Sequence, residues 1–244
     1  MKKILIMGAS SGIGLRVAEE FASRGVRVGL AGRNTEPLKA LKEKYPMAVV
    51  WDRIDINEEE APRRMLDLIE RMGGMDIYFH VSGIGYENPN LDPTQEVAII
   101  NTNATGFARM LSTAYRYFKE MRKPGQIVGL TSVAGTNGIG RMSAYSSSKK
   151  CAQTYMVALE QRANAEELDI KFTDIRPGWI RTPLLNEDKT YPMEMSLDYV
   201  VPMIIKAIVR HPRVVVIDWR YNLLVGLWRM IPNALWTHID FVLK

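Results

Sequence analysis

Short, nearly continuous apolar runs recur along the chain. They occupy Lys3–Met7, Val26–Ala31, Met47–Trp51, Asp76–Val81, Gln126–Thr131, Ile170–Ile175 and Arg213–Ile217. Runs of this length and composition predict strands buried on both faces. Between them the apolar spacing changes to the helical period, as with Ile13, Val17, Ala18 and Phe21. The pattern predicts helices over Ile13–Ser23, Glu36–Lys44, Glu58–Met72, Asn101–Arg122, Ser143–Leu168 and Ser196–Arg210. Seven strands alternating with helices predict an α/β fold, a doubly wound parallel sheet covered on both faces. No internal repeat and no stretch of linker composition interrupts the pattern. The expectation is a single domain over residues 1–244, with 219–244 an apolar, Trp-containing extension.

Composition narrows the picture little. The chain has 244 residues, 47% hydrophobic and 24% charged, with a formal charge of +5. That is ample apolar content for a core and argues against disorder. The basic residues are spread along the chain, so no nucleic-acid partner is expected. One cysteine, Cys151, excludes an internal disulfide framework, and three dispersed histidines give a structural metal no support. The apolar run after Lys2 and Lys3 is too short for an export signal, and no stretch is long enough to span a bilayer. A cytoplasmic setting is the expectation.

The first run ends in Gly8-Ala9-Ser10-Ser11-Gly12-Ile13-Gly14, between a strand and a helix. A chain that turns sharply there while leaving room for a pyrophosphate needs glycine at Gly8 and Gly12. Gly14 lets the helix pack close to the sheet, and the helix N-terminus offers its amides to the phosphates. The strand–turn–helix context makes the sheet a Rossmann-type one. The second strand leads into Arg33, where an acidic residue would suit the ribose of NAD. An arginine suits a 2′-phosphate, so NADP(H) is the expected cofactor.

Tyr145 and Lys149 are four residues apart and share a helix face. A tyrosine near a carbonyl can act as a general acid, and an ammonium one turn away is expected to lower its pKa. Ser132 falls at the carboxyl end of a strand, where ligands of such sheets bind.

Together Gly8–Gly14, Ser132-Val133-Ala134-Gly135, Tyr145-Ser146-Ser147-Ser148-Lys149 and Arg176-Pro177-Gly178 resemble the motifs of the short-chain dehydrogenase/reductase family, in its compact branch. The similarity runs from Lys3 to about Arg210. It implies that Tyr145 is the catalytic acid/base, that Ser132 polarises the carbonyl, and that Lys149 holds the nicotinamide ribose. It also implies an asparagine that supports a proton-relay water: Asn103, with Asn101 as the fallback. Further cofactor contacts implied are Ser10, Ser11, Ile13, Asp55, Ile56, Ser82, Gly83, Pro177, Gly178, Ile180 and Thr182. His80-Val81-Ser82-Gly83 departs from the family's Asn-Asn-Ala-Gly, and His80 reads as structural. Self-association through the two long helices is implied as well.

Substrate identity is expected in Gly85–Thr94, with Tyr86, Asn88, Pro89 and Leu91, and in Trp179–Asp198, with Trp179, Leu184, Leu185, Tyr191, Met193 and Met195. Both read as loops that form a lid or a buried wall. Three of the five tryptophans, Trp219, Trp228 and Trp236, lie in the extension around the apolar run Leu223–Ile231. This tail either packs on its own domain or a second subunit, or lies at a membrane surface. In the last case a long-chain 3-keto lipid such as 3-ketosphinganine is the expected substrate. Carrier-bound 3-ketoacyl groups, steroids and sugars are alternatives. The activity expected is reduction of a ketone to an alcohol by an NADP(H)-dependent oxidoreductase. The competing readings are a non-catalytic NADP-binding regulator and a nucleotide-sugar epimerase or dehydratase.

Overall fold

Along the first strand, β1 (Lys3–Met7), Ile4 and Ile6 enter one apolar cluster and Leu5 and Met7 the other. The alternation of side chains along a strand thus divides the core into two layers. The computed structural model describes residues 2–182 and 191–239. The remaining strands are β2 (Arg27–Gly32), β3 (Val49–Arg53), β4 (Ile77–His80), β5 (Gly125–Leu130), β6 (Ile170–Pro177) and β7 (Val214–Ile217). All neighbours pair in parallel, in the order β3-β2-β1-β4-β5-β6-β7. This is the Rossmann-type doubly wound sheet, seven strands with helices on both faces.

One face is covered by α1 (Gly12–Ser23), α2 (Glu36–Lys44) and α7 (Leu197–Arg210), through Val17, Phe21, Leu38, Val200 and Ile204. The other carries α3 (Ala61–Arg71), α5 (Phe107–Met121) and α6 (Ser143–Ala165), through Met65, Leu68, Met110, Phe118 and Met156.

Two elements differ from the sequence expectation. The helix expected over Asn101–Arg122 begins earlier, as α4 (Pro93–Ile100), with Pro93 in its first turn and the Asp92 carboxylate accepting the Thr94 amide at 2.9 Å. A wide π-helical turn at Asn101–Gly106 then joins it to α5. The Asn and Thr residues there are poor helix formers, which hid the continuity from the periodicity. The end of the stretch Gly85–Thr94 is therefore helical. The tail forms α8 (Trp219–Met230), capped by the buried Asp218 carboxylate, which accepts the Arg220 amide at 3.1 Å, and a short α9 (Asn233–Trp236). Among the described residues no helix is long and apolar enough to cross a membrane.

Candidate active site

The chain reverses direction across the sheet between β1 and β4, and a crevice opens at the carboxyl ends of the strands there. Two adjoining cavities occupy it, of about 290 and about 210 Å³. Ile13, Val81, Gly83, Leu130 and Thr182 line both.

The larger cavity collects the glycine turn. Gly8, Ser10, Ser11, Gly12 and Ile13 line it, with Arg33, Asp55, Ile56, Ser82, Gly83 and Thr182. Gly8 has φ +100°, and a Cβ there would stand 2.6 Å from the Ser82 amide nitrogen. Gly14 lines neither cavity. A Cβ there would lie 2.1 Å from the Gly8 carbonyl oxygen, so its work is the close seating of α1 against the turn. The first turn of α1 contains no acidic residue, and the Ser11 side chain does not cap it. The cradle therefore offers helix amides, two serine hydroxyls and the exposed Arg33 to an anion, and it fits a dinucleotide phosphate. Ile54, Asn57 and Thr102, which the sequence did not single out, complete the wall.

The smaller cavity holds the polar trio. Ser132, Tyr145 and Lys149 line it, with Pro177, Gly178 and Ile180. The Ser132 hydroxyl accepts the Ala134 amide at 3.1 Å and donates to the Pro177 carbonyl at 3.4 Å. Buried Gln153 donates from Nε2 to the Ser132 carbonyl at 2.8 Å and fixes this turn from α6. Lys149 Nζ donates to the Leu130 carbonyl at 3.3 Å and stands 5.6 Å from the Tyr145 ring centre. The Tyr145 ring lies against Gly85, where a Cβ would meet it at 2.4 Å.

Asn103 is buried in the wide turn, whereas Asn101 faces solvent. Asn103 clamps the backbone after Gly83. Its Oδ1 accepts the Ile84 amide at 2.9 Å, and its Nδ2 donates to the Ile84 carbonyl at 2.7 Å and to Ser148 Oγ at 3.3 Å. A Cβ on Gly83 would sit 3.1 Å from Asn103 Oδ1 and 3.4 Å from Lys149 Nζ, so Asn103, Gly83 and Lys149 meet at one point. His80 is wholly buried beneath the site, 2.8 Å from the Tyr78 hydroxyl and edge-on to Phe107.

The electrostatics differ from the expectation at Tyr145. Its pKa is raised, because burial outweighs the hydrogen bond with Ser132. Burial likewise lowers Lys149 to about 8, opposed by the charge of Asp174. A lysine desolvated with its neighbour does not offset the cost of burying a phenolate. Asp174 itself is buried, accepting from Thr131 Oγ1 at 2.5 Å and from Arg176 at 2.7 Å.

The remaining walls of the smaller cavity are mostly apolar. Trp179, Pro192 and Met193 come from the second expected stretch, and Trp179 packs on Tyr191 at 4.7 Å. Leu184 and Leu185 lie outside the described residues. From the first stretch, Asn88 is buried and bonds Asp92 and Glu96, Tyr86 and Leu91 are exposed, and Gly85 and Glu87 line the cavity. Tyr221, Leu224 and Trp228 of α8 form a wall that the sequence left open, along with Ile139, Arg141 and Met142. The tail is bonded there: Trp236 Nε1 donates to the Gly138 carbonyl at 2.6 Å, and Asn137 Nδ2 to the Trp228 carbonyl at 3.1 Å.

Sheet order, glycine turn and crevice define a Rossmann-type dinucleotide-fold protein. The short chain dehydrogenase family model matches residues 2–191. An uncharacterized oxidoreductase of Myxococcus xanthus (strain DK1622) is 33% identical over 239 residues, 95% of this chain and 93% of the relative. A short-chain type dehydrogenase/reductase from Mycobacterium marinum superposes with a TM-score of 0.78 at 25% identity, covering 90% of this chain and 95% of that one. A short-chain dehydrogenase from Sphingobium yanoikuyae, solved in complex with NADPH, has the same fold: TM-score 0.78, 22% identity, 100% of this chain and 98% of that one. The chain belongs to the short-chain dehydrogenase/reductase family of oxidoreductases.

Proposed function

We propose that the protein is an NADP(H)-dependent reductase of apolar ketones, with Tyr145 as general acid. One observation carries the reading. Ser132, Tyr145 and Lys149 line an otherwise mostly apolar cavity that shares Gly83, Val81 and Ile13 with the glycine-turn cavity. A nicotinamide dinucleotide seated in the larger cavity supplies the hydride. The chain's own residues do the rest. Tyr145, its pKa raised by burial, stays protonated at neutral pH and donates to the oxygen of the carbonyl. Ser132 donates a second hydrogen bond to the same oxygen as charge develops on it. Lys149 holds the ribose, and Asn103 keeps Ile84 and the relay beside Lys149 in place. Arg33 supports NADP(H) over NAD(H): it is exposed at the cavity edge and makes no ion pair among the described residues. The apolar walls favour an elongated ketone such as a long-chain 3-keto lipid, 3-ketosphinganine being one example. Family membership supports an enzyme that self-associates, and a cytoplasmic setting is part of the same proposal.

The test follows NADPH absorbance with ketones graded by chain length. Turnover should rise with chain length and fall by about 10²–10⁴-fold in Tyr145→Phe. Equal turnover across chain lengths would remove the lipid assignment. NADPH binding with no ketone reduced would favour a non-catalytic regulator.

A further inference from the structure

On α8 two opposite faces are apolar. The inward face places Tyr221, Leu224 and Trp228 on the wall of the smaller cavity. The outward face is a ridge of Trp219, Leu223, Leu227 and Met230, spaced by four, four and three residues. Their exposures are 71%, 61%, 54% and 78%. At about 100° per residue these four side chains fall within one quadrant of the helix. Elsewhere the exposed apolar residues stand singly, as Met47 and Val157, or in pairs, as Val97 and Ile100 on α4 and Tyr199 and Val209 on α7, while Leu235 and Ile239 follow in the tail. The ridge presents roughly 500 Å², since a large side chain of this kind offers about 150–250 Å².

Asp218 precedes the ridge and pairs with Arg220, and Asp240 follows α9 in the sequence, so the charge left on α8 itself is that of Arg229. From Trp219 to Ile239 there is no Asp or Glu, and the charged residues are Arg220 and Arg229. Arg220 and Arg229 flank the ridge on its two sides by the same helical arithmetic. Arg220 is held by Asp218 at 3.0 Å, while Arg229 is exposed. An apolar ridge with tryptophan at one end and arginine beside it matches the layers of a bilayer interface. Its area falls short of the roughly 800 Å² per partner of a standard protein interface.

We propose that α8 docks the protein onto a lipid bilayer carrying anionic headgroups, with Trp219, Leu223, Leu227 and Met230 entering the interface and Arg229 meeting the headgroups. The same helix then separates the apolar cavity from lipid instead of from water. An apolar substrate would reach the site without crossing the solvent. The docking itself needs no turnover, so it stands or falls apart from the reductase reading.

The full chain is mixed with phosphatidylcholine vesicles, with and without phosphatidylglycerol, and sedimented. The protein should sediment with the mixed vesicles, more weakly with phosphatidylcholine alone, and less as salt rises. The double variant Leu223→Glu/Leu227→Glu should bind the mixed vesicles about tenfold more weakly or less. Its circular dichroism and NADPH binding should be unchanged, because both positions face solvent. Arg229→Glu should remove most of the preference for phosphatidylglycerol, and Met47→Glu, equally exposed but distant in sequence from the ridge, should change nothing. Absence of vesicle binding by the natural chain, or equal binding by the double variant, overturns the proposal. A solution mass that halves in the double variant also overturns it, because the ridge is then covered by a second copy.

Discussion

Arg33 shows how far single residues can be read. Its position after β2 was singled out because the glycine turn marks where a dinucleotide's adenosine ribose is expected to lie. A guanidinium bonded to a 2′-phosphate contributes about 1.5–3 kcal/mol, roughly ten- to a hundredfold in affinity. Arg33→Ala should therefore raise the KM for NADPH by about that factor and leave the KM for NADH unchanged. An equal loss for both cofactors would move Arg33 from the phosphate to a general electrostatic role. The trio Ser132, Tyr145 and Lys149 was legible for a similar reason, since a helix face and a strand end are simple geometry. The sign of the Tyr145 shift was not. Sequence spacing places the lysine beside the tyrosine but carries no information on burial, and burial decides the sign.

At the scale of elements, the strands and helices around β1 followed from period alone, whereas α4 and α8 did not. In α4 a polar wide turn interrupts the apolar spacing. In α8 both faces are apolar, so no amphipathic stripe reveals which one is inward. The contact that settles it is Gly178. A Cβ there would stand 2.0 Å from the Tyr221 ring. The Tyr221 hydroxyl accepts the Trp179 amide at 3.1 Å and donates to the Pro192 carbonyl at 2.9 Å. Gly178 thus joins the end of β6 to the tail and to the cavity wall in one step. Gly178→Ala should cost about 1–3 kcal/mol in a denaturant titration, the usual range for overpacking. The cost should shrink in a Tyr221→Leu background, because the two residues share one contact. A full cost in that background would place the strain in the turn itself.

The whole molecule carries buried bases whose protonation couples to its stability. Burial lowers His80 from 6.5 to about 3, with Lys149 adding to the shift. The groups packed on it, Tyr78 and Phe107, supply no charge that would stabilise an imidazolium. The unfolded chain therefore binds more protons between pH 6.5 and 3, and stability falls as pH drops through that window. The full penalty is on the order of 5 kcal/mol. Glu166, lowered from 4.5 to about 2 by Lys119, Tyr115 and Arg162, adds a loss that begins only below pH 4.5. At the other end, Lys149 is lowered from 10.5 to about 8. Stability rises as pH increases from 8 towards 10.5, since the fold is relieved of a buried ammonium. Above pH 10 the raised tyrosines reverse the trend, Tyr115 reaching about 12 and Tyr78 and Tyr145 also shifted upward. Unfolding free energies measured across pH should thus decline from pH 6.5 downward, rise modestly from 8 to 10, and fall beyond. His80→Asn should flatten the onset between 6.5 and 4.5. Lys149→Met should remove the alkaline rise and increase stability at neutral pH while abolishing turnover. An acid limb in the natural chain that starts only below pH 4.5 would show that His80 is hydrated in the folded state, and the burial argument for it would fail.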